Sequence, residues 1–310
     1  MADTALTIRN LRKSYGDVVA VDGVDLDVRS GECFGLLGPN GAGKTTTIEI
    51  CEGLLDPDTG DVEVLGLTWR ANERELRQRL GVQLQETQVS DKLTVRETVR
   101  LFRSFYPRGM AVDEALALVQ LEEKRDARVG TLSGGQKQRL ALACSIIGDP
   151  ALLFQDEPTT GLDPQSRRQL WELIARFRAE RRTVVLTTHY MDEAERLCDR
   201  VAIVDHGRVI ALDTPRALIA SLGAEHVVTF TLEGSQPVPA DSDLGALDGV
   251  SAVRRDNGAF ELTSADLRRT LPALLAFLER ARLPLAELRT HSATLEDVFV
   301  ALTGRHLRDA

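Results

Sequence analysis

The sequence predicts an α/β protein in which a core with a parallel sheet carries an antiparallel β subdomain and a helical insert, followed by a small C-terminal α+β domain. A continuous apolar run at residues 33–37 is typical of a strand buried on both faces, and residues 151–154 and 183–187 are predicted as two more buried strands. Segments with a helical pattern separate these strands, which indicates βαβ units. The pattern changes after about Gly223, and no full βα repeat follows.

The elements of the first domain follow from local patterns in chain order. Residues 6–8 and 24–28 alternate apolar and polar side chains, as half-buried strands do. Thr94 precedes Glu97 by three residues, a spacing that predicts a helix start. Helices are predicted at residues 44–53, 72–80, 94–105, 112–120, 138–148, 164–181 and 190–198, and further strands at residues 62–65, 201–204 and 208–212. Residues 86–148 are therefore predicted to form a mostly helical insert.

A second domain is predicted after the first, with the boundary between residues 222 and 223. Residues 223–310 contain an alternating strand at 227–232 and helices near 265–281 and 295–302. A segment of this length is within the usual size range of a small domain. The sequence therefore predicts domains at 1–222 and 223–310.

Composition excludes several classes of protein. The chain has 310 residues, of which 43% are hydrophobic, and a net charge of −9. An acidic chain is a poor match for a broad nucleic-acid surface or for direct docking on anionic lipid. The longest apolar run, residues 140–148, is far shorter than the roughly 20 residues that a membrane span needs. No signal-like stretch is found near the N-terminus, and none of the four cysteines forms a C-x-x-C pair. We expect no span, no signal peptide and no zinc site.

A glycine-rich loop follows the first buried strand and opens a helix. It matches G-x-x-x-x-G-K-[ST], whose glycines let backbone N–H groups surround a polyphosphate at a helix N-terminus. The predicted nucleotide-binding residues of this segment are Gly38, Pro39, Asn40, Gly41, Ala42, Gly43, Lys44, Thr45 and Thr46. Lys44 is expected to reach the β- and γ-phosphates of ATP, and Thr45 to coordinate Mg²⁺.

Two carboxylates end the strand that starts at residue 151. Asp156 has the position expected of a Mg²⁺-binding acid, and Glu157 is the candidate that polarises an attacking water. The simpler interpretation is a polar strand end before a turn at Pro158. The phosphate loop in the same chain favours the catalytic interpretation.

Between these motifs, residues 132–136 read Leu-Ser-Gly-Gly-Gln. This segment resembles the signature of ABC ATPases, although Ser133 is also a good helix cap in its own right. The resemblance implies that four signature residues contact nucleotide, namely Ser133, Gly134, Gly135 and Gln136. It covers residues 4–222 densely and implies the P-loop NTPase fold.

Further residues match the family pattern in order. Tyr15 resembles the aromatic that stacks on adenine, and Gln85 resembles the glutamine that contacts Mg²⁺ and senses the membrane partner. Asp163 resembles the D-loop acid, and His189 resembles the switch histidine that touches the γ-phosphate. Taken singly, Tyr15 is equally well a packed aromatic and Gln85 a strand-end amide, and a lone His189 is more often a buried histidine with its hydrogen bonds satisfied. Their order and spacing favour the functional interpretation.

One residue departs from the family pattern within the motifs. Gln155 precedes Asp156 where the family usually has a large apolar residue. A buried polar side chain needs partners, so we expect Gln155 to hydrogen-bond within the protein and to leave hydrolysis intact. Gln85 is followed by Glu86 instead of an apolar residue, which leaves the form of the partner contact open.

The last predicted helix has an amphipathic pattern. Thr294 is a candidate cap, and one helical face is predicted to carry Leu295, Val298, Phe299 and Leu302. The helix is expected to pack on its own small sheet. The segment also resembles the C-terminal ending of ATPases of the ABC-2, daunorubicin-resistance-type exporter branch. That resemblance implies export, with an assembly or regulatory role for residues 223–310.

The resemblance implies a machine of several subunits. ATP lies between the phosphate loop of one copy and the signature of a second, and a separately encoded polytopic membrane subunit holds the pair at the inner face of the cell membrane. Antibiotic, lipid and polysaccharide export are all compatible with the sequence. The alternatives are a soluble ABC ATPase acting on ribosomes or DNA, which the single cassette and acidity disfavour, and a non-catalytic subunit, which the intact Glu157 and His189 disfavour.

Overall fold

A computed structural model describes residues 4–83, 89–223, 226–233, 238–256 and 258–304. The chain forms two compact units, the first ending at Thr214 and the second beginning at Pro215. The boundary predicted from sequence lies eight residues later, because the helix Pro215–Ser221 groups with the second unit. Within the described residues, no helix is both long and apolar enough to cross a bilayer.

A six-stranded sheet forms the centre of the first unit. Its order is β5-β6-β7-β3-β8-β9, and every neighbouring pair is parallel except β8–β9. The strands are β3 (Cys33–Leu37), β5 (Leu80–Gln83), β6 (Leu152–Asp156), β7 (Thr183–Thr188), β8 (Arg200–Asp205) and β9 (Arg208–Asp213). All residues of β3, β6 and β7 are buried, as expected for central strands covered on both faces. The predicted parallel sheet is confirmed.

An antiparallel sheet of three strands lies beside this core, in the order β2-β1-β4. Its strands are β1 (Thr4–Tyr15), β2 (Val18–Arg29) and β4 (Thr59–Val64). Apolar residues of β1 and β2 alternate into the same hydrophobic cluster as the inner residues of β3 and the helix after it. The predicted antiparallel subdomain is therefore continuous with the core.

Seven helices of the described first unit cover or extend the sheets. They are α1 (Lys44–Cys51), α2 (Trp69–Arg79), α3 (Val95–Arg103), α4 (Val112–Leu118), α5 (Gly134–Ile146), α6 (Pro164–Ala179) and α7 (Met191–Leu197). Thr94 and Glu97 form the predicted capping box of α3. The sequence interpretation started α5 at residue 138, which is wrong: Ser133 and Gln136 form a second capping box, and the helix begins at Gly134.

The second unit contains a four-stranded antiparallel sheet, ordered β11-β12-β10-β13, with four helices. Its elements are α8 (Pro215–Ser221), β10 (His226–Leu232), α9 (Asp241–Gly245), β11 (Val250–Asp256), β12 (Ala259–Ser264), α10 (Leu267–Arg280), β13 (Leu285–Ser292) and α11 (Leu295–Thr303). Phe230 and Phe260 stack at 4.9 Å in its core. Thr294 caps α11, and Gly304 ends it at φ +75°. The predicted α+β class is confirmed.

Candidate nucleotide site

The sheet order explains why distant motifs meet. β6, β7 and β3 are neighbours and run parallel, so their carboxyl ends lie at one edge of the sheet, where α/β proteins bind ligands. The phosphate loop follows β3, the two carboxylates end β6, and His189 follows β7. Three segments that are far apart in sequence therefore converge on one site.

The phosphate loop, residues 38–43, is packed too tightly for side chains at two of its glycines. A Cβ at Gly38 would lie 2.2 Å from the Val204 carbonyl oxygen, and one at Gly43 would lie 2.2 Å from that of Ala20. Gly43 also has φ +96°, a conformation that favours glycine. Asn40 and Gly41 are exposed at the loop tip, and Ala42 and Pro39 are buried. The loop is a fixed backbone cradle, open on one side and leading into the N-terminus of α1.

Lys44 occupies the inside of this cradle. Its side chain is 4% exposed, and its Nζ donates to the carbonyl oxygens of Gly38, at 2.9 Å, and Pro39, at 3.0 Å. Burial lowers the pKa of Lys44, and the nearby carboxylates of Glu157 and Asp156 oppose that shift. A buried ammonium surrounded by phosphate-binding amides is a site for a polyanion.

Asp156 and Thr45 offer two oxygens at the entrance to α1. Asp156 Oδ1 lies 3.4 Å from Thr45 Oγ1 and also accepts a hydrogen bond from the Thr187 hydroxyl. Burial raises the pKa of Asp156, and the charge of Glu157 adds to that effect. A carboxylate and a hydroxyl are oxygen ligands that Mg²⁺ prefers, and a cation here would offset the buried negative charge. The donor set therefore fits Mg²⁺.

Glu157 stands between the lysine and the histidine. Its Oε1 is 3.6 Å from Lys44 Nζ, and its Oε2 is 3.2 Å from His189 Nδ1. The Glu157 N–H donates to Thr187 Oγ1 at 2.9 Å, which helps to hold the residue at φ +45°. The neighbouring His189 is the main cause that lowers the pKa of Glu157 to about 2, and burial acts in the opposite direction by raising that pKa. The carboxylate is therefore ionised at neutral pH and is available to accept a proton or polarise a water.

The signature segment begins a helix, as its sequence suggests. Ser133 Oγ accepts a hydrogen bond from the Gln136 N–H, and the Ser133 N–H donates one to the Gln136 side-chain oxygen Oε1. Gln136 thus acts here as a cap. Gly134 has open space above it, whereas a Cβ at Gly135 would lie 2.3 Å from the Ser166 hydroxyl. The N-terminus of α5 is therefore open to solvent at Gly134, whereas Gly135 packs against the first turn of α6.

The remaining predicted residues have varied positions. Asp163 caps α6 and accepts hydrogen bonds from the Ser166 hydroxyl and from the amides of Ser166 and Gln165. These bonds, that of the hydroxyl first, lower the pKa of its carboxyl. Thr46 is half-buried in the first turn of α1. Gln85 lies outside the described residues, so its role stays a prediction.

Tyr15 ends β1 in the company of two valines that the sequence interpretation missed. Tyr15 pairs with Val18 across the β1–β2 hairpin, and their exposed fractions are 49% and 66%. Val19 is 53% exposed, and the next residue, Ala20, contacts Gly43 of the phosphate loop. Tyr15 and Val18 share one face of the hairpin as an exposed apolar pair, and Ala20 places this hairpin beside the phosphate loop. Consecutive valines at a hairpin, breaking the alternation of β2, were the available signal.

Gln155 is buried on β6 and only partly satisfied. Its Nε2 donates to the Phe154 carbonyl at 3.1 Å and lies 3.5 Å from Ser145 Oγ, on the face opposite Asp156. Its Oε1 has no hydrogen-bond partner among the described residues. The expected hydrogen bond within the protein is confirmed for the amide nitrogen alone.

We expect Gln155→Leu to keep ATP turnover within about twofold, because the side chain points away from the site. Removal of an unsatisfied buried oxygen should raise the free energy of unfolding by about 1 kcal/mol. Urea unfolding and phosphate-release assays measure the two quantities. A turnover loss of tenfold or more would contradict this account of the residue.

Comparison with known proteins decides the family. A family model described as "ABC transporter" matches residues 21–160. A protein named Nod factor export ATP-binding protein I from Burkholderia orbicola (strain AU 1054) is 41% identical over all of both chains. A protein of the same name from Rhizobium sp. (strain N33) is 40% identical over 99% of each. The chain belongs to the ATP-binding subunits of ABC transporters.

Solved structures agree with that family. An ATP-binding subunit of an ABC transporter superposes with a TM-score of 0.64 at 30% identity, covering 71% of this chain and 94% of that one. A dimeric, post-hydrolysis ATP-binding cassette with bound ADP and phosphate gives 0.61 at 26% identity, over 67% and 98%. The P-loop NTPase fold is confirmed, and the chain is an ABC ATPase that binds and hydrolyses ATP.

Proposed function

We propose that this ABC ATPase hydrolyses MgATP with Glu157 as the residue that polarises the attacking water. The observation that supports this role is the position of the ionised Glu157 carboxylate between Lys44 Nζ and His189 Nδ1. Lys44 binds the β- and γ-phosphates, and His189 contacts the γ-phosphate and orients Glu157. Each of these groups acts on charge that develops at the transferred phosphoryl, where fixed electrostatics contributes most.

Thr45 and Asp156 are the proposed Mg²⁺ residues, with Gln85 as the third predicted contact. When bound, Mg²⁺ supplies positive charge that neutralises the β- and γ-phosphate oxygens. The Thr187 hydroxyl fixes the Asp156 carboxylate and also accepts the Glu157 N–H. One threonine thus fixes the carboxylate of Asp156 and the backbone of Glu157. The adenine ring is proposed to stack on Tyr15 and to lie against the neighbouring Val18.

A second copy of the chain is proposed to complete the site. The phosphate loop surrounds only one side of a polyphosphate, and the open N-terminus of α5 at Ser133 and Gly134 is a matching anion-binding surface. Asp163, next to Ser166, lies beside the same surface. ATP bound by both copies joins them, and hydrolysis separates them.

Sedimentation of the hydrolysis-deficient Glu157→Gln variant tests the shared site. We expect a dimer with MgATP and a monomer with MgADP. Ser133→Arg in the same background should remove the ATP-induced dimer, because its side chain occupies the space that the γ-phosphate needs. Lys137→Ala, one turn further along α5 and away from the helix N-terminus, is the matched control. A dimer that forms equally well with Ser133→Arg would contradict the shared site.

We propose that the dimer powers export through a separately encoded polytopic membrane subunit, held at the inner face of the cell membrane. The two relatives described above span the whole chain, including its second unit, and both are named for Nod factor export. Full-length similarity extends the likeness beyond the cassette, which all ABC transporters share. Export of an antibiotic, a lipid or a polysaccharide fits the same branch.

The second unit is proposed to support assembly of the two ATPase copies. It has its own core and is not needed to build the nucleotide site, whose residues all lie before Thr214. A chain ending at Thr214 should therefore still hydrolyse ATP, but its ATP-dependent dimer should dissociate about tenfold more readily, since a second contact between linked modules raises effective concentration. Sedimentation across a concentration series measures this difference. Equal dimer affinity for the two chains would refute an assembly role.

A further inference from the structure

A stack of three side chains lies behind the nucleotide site. The His189 imidazole lies against the ring of Tyr190, with centroids 4.1 Å apart and planes at 41°. The Arg167 guanidinium covers that ring, 4.1 Å from its centroid. Since His189 Nδ1 is 3.2 Å from Glu157, the stack leads from α6 to the proposed catalytic carboxylate. We propose that Arg167 and Tyr190 are positioning residues that hold the His189 imidazole against Glu157.

The backbone around His189 does not fix its ring. His189 follows the last residue of β7 and precedes α7, and its side chain is 25% exposed. The Tyr190 N–H donates to Thr188 Oγ1 at 2.9 Å, which fixes the main chain at this turn. The imidazole lies against the Tyr190 ring, and its Nδ1 approaches Glu157 Oε2 at 3.2 Å without hydrogen-bond geometry, so the ring contact is what restrains the imidazole plane.

Arg167 is placed for stacking by its helix. It lies in the first turn of α6, where its N–H donates to the Asp163 carbonyl oxygen at 3.0 Å. Its Nε is buried and lacks a hydrogen-bond partner among the described residues. The guanidinium lies over the face of the Tyr190 ring, the arrangement in which an arginine cation is attracted to an aromatic ring. The ring of Tyr190 is one neighbour of this cation, and the buried carboxyl of Glu193 is another, since the Arg167 charge opposes the rise that burial causes in the pKa of Glu193.

One helical turn further on, α6 is fixed to α7. Trp171 Nε1 donates to the buried carboxyl of Glu193 at 2.8 Å, and the Arg196 guanidinium covers the Trp171 ring. These contacts keep Arg167 at a constant distance from the turn that holds Tyr190. At its first turn, α6 also contacts the signature helix through Ser166 and Gly135. The stack therefore connects α5 and α6, which are proposed to face a second copy, with His189, which is proposed to orient Glu157.

This inference rests on the roles proposed for Glu157 and His189, and two independent readouts test it. Steady-state ATPase assays of the full chain should give about a 10-fold lower kcat for Tyr190→Leu and Arg167→Ala, with KM for ATP changed less than about twofold, because misplaced catalytic groups cost rate. Tyr190→Phe keeps the ring and should keep kcat within about twofold. Arg168→Ala, exposed on the next position of α6, is the matched control and should behave as wild type.

The second readout is the carbon–proton NMR spectrum of the five histidine rings, assigned with His189→Gln. The Tyr190 ring should shift the His189 signal upfield. That shift should persist in Tyr190→Phe, vanish in Tyr190→Leu and decrease in Arg167→Ala. An unchanged His189 signal in Arg167→Ala, or equal kcat losses for Tyr190→Phe and Tyr190→Leu, would overturn the proposal. If the roles of Glu157 and His189 were instead wrong, Glu157→Gln would retain turnover while the NMR shifts still followed the stack.

Discussion

Glu157→Gln should lower kcat for ATP hydrolysis by about 100-fold or more while ATP still binds. Glutamine has the same shape but cannot accept a proton, and removal of a general base typically costs 10²–10⁴-fold in rate. The lost charge also leaves Lys44 Nζ, now 3.6 Å away, with less competition from within the protein. ATP affinity should therefore stay the same or increase. Phosphate release and titration calorimetry measure the two effects.

The matched control for this variant is Glu172→Gln, the same change at an exposed position of α6. It should leave both turnover and affinity as they are in the wild type. Retention of more than half the wild-type turnover by Glu157→Gln would mean that another group activates the water. Asp156 would then be the next candidate, since burial raises its pKa.

Lys44→Ala should weaken ATP binding by about 100-fold, equivalent to roughly 2.7 kcal/mol. A charge-assisted hydrogen bond to a phosphate contributes about 1.5–3 kcal/mol, and Lys44 is the cation that the phosphate loop encloses. The free energy of unfolding should change little, because the variant also removes a buried ammonium whose pKa burial lowers. Titration calorimetry and urea unfolding separate binding from stability.

Lys92→Ala, at an exposed position outside the site, serves as the control for loss of positive charge. It should bind ATP as the wild type does. An unchanged ATP affinity for Lys44→Ala would show that the loop amides alone hold the phosphates. A large loss of stability would instead make Lys44 a structural residue of the loop.

Most of the first unit could be predicted from sequence because strong local signals agree with its tertiary structure. The apolar run of β3 and the Val-Val-Leu centre of β7 predict buried strands, and the structure buries both. Caps at Thr94 and Asp163 mark helix starts that the structure keeps. The α5 start was misplaced because the glycines at 134 and 135 were taken as loop residues. The capping box formed by Ser133 overrides their low helix propensity.

The sequence predicted which residues belong to the site, but not all of the contacts between their side chains. Motif order predicts that Lys44, Glu157 and His189 share a site, and the β6-β7-β3 order of the sheet brings them together. No local pattern encodes the stacking of Arg167 on Tyr190, which depends on how α6 packs against α7. The position of the exposed valines near the nucleotide site likewise becomes evident only from the contact of Ala20 with the phosphate loop.

The boundary of the second unit also could not be predicted correctly from local sequence. Composition changes near Gly223, and that change suggested the end of the cassette. The helix Pro215–Ser221 has an ordinary amphipathic sequence, and only its packing against α11 assigns it to the second unit. Tertiary contacts, not local composition, define a domain boundary.

The most direct test of this account is recovery of tagged Glu157→Gln from native membranes in the presence of MgATP. The variant should hold the ATP-bound state, so that the complete assembly is captured. We expect a stoichiometric polytopic membrane protein to be recovered with two copies of the chain, and that protein would lead to the exported substrate. Recovery of the chain with ribosomes, or without any membrane protein, would contradict a role in export.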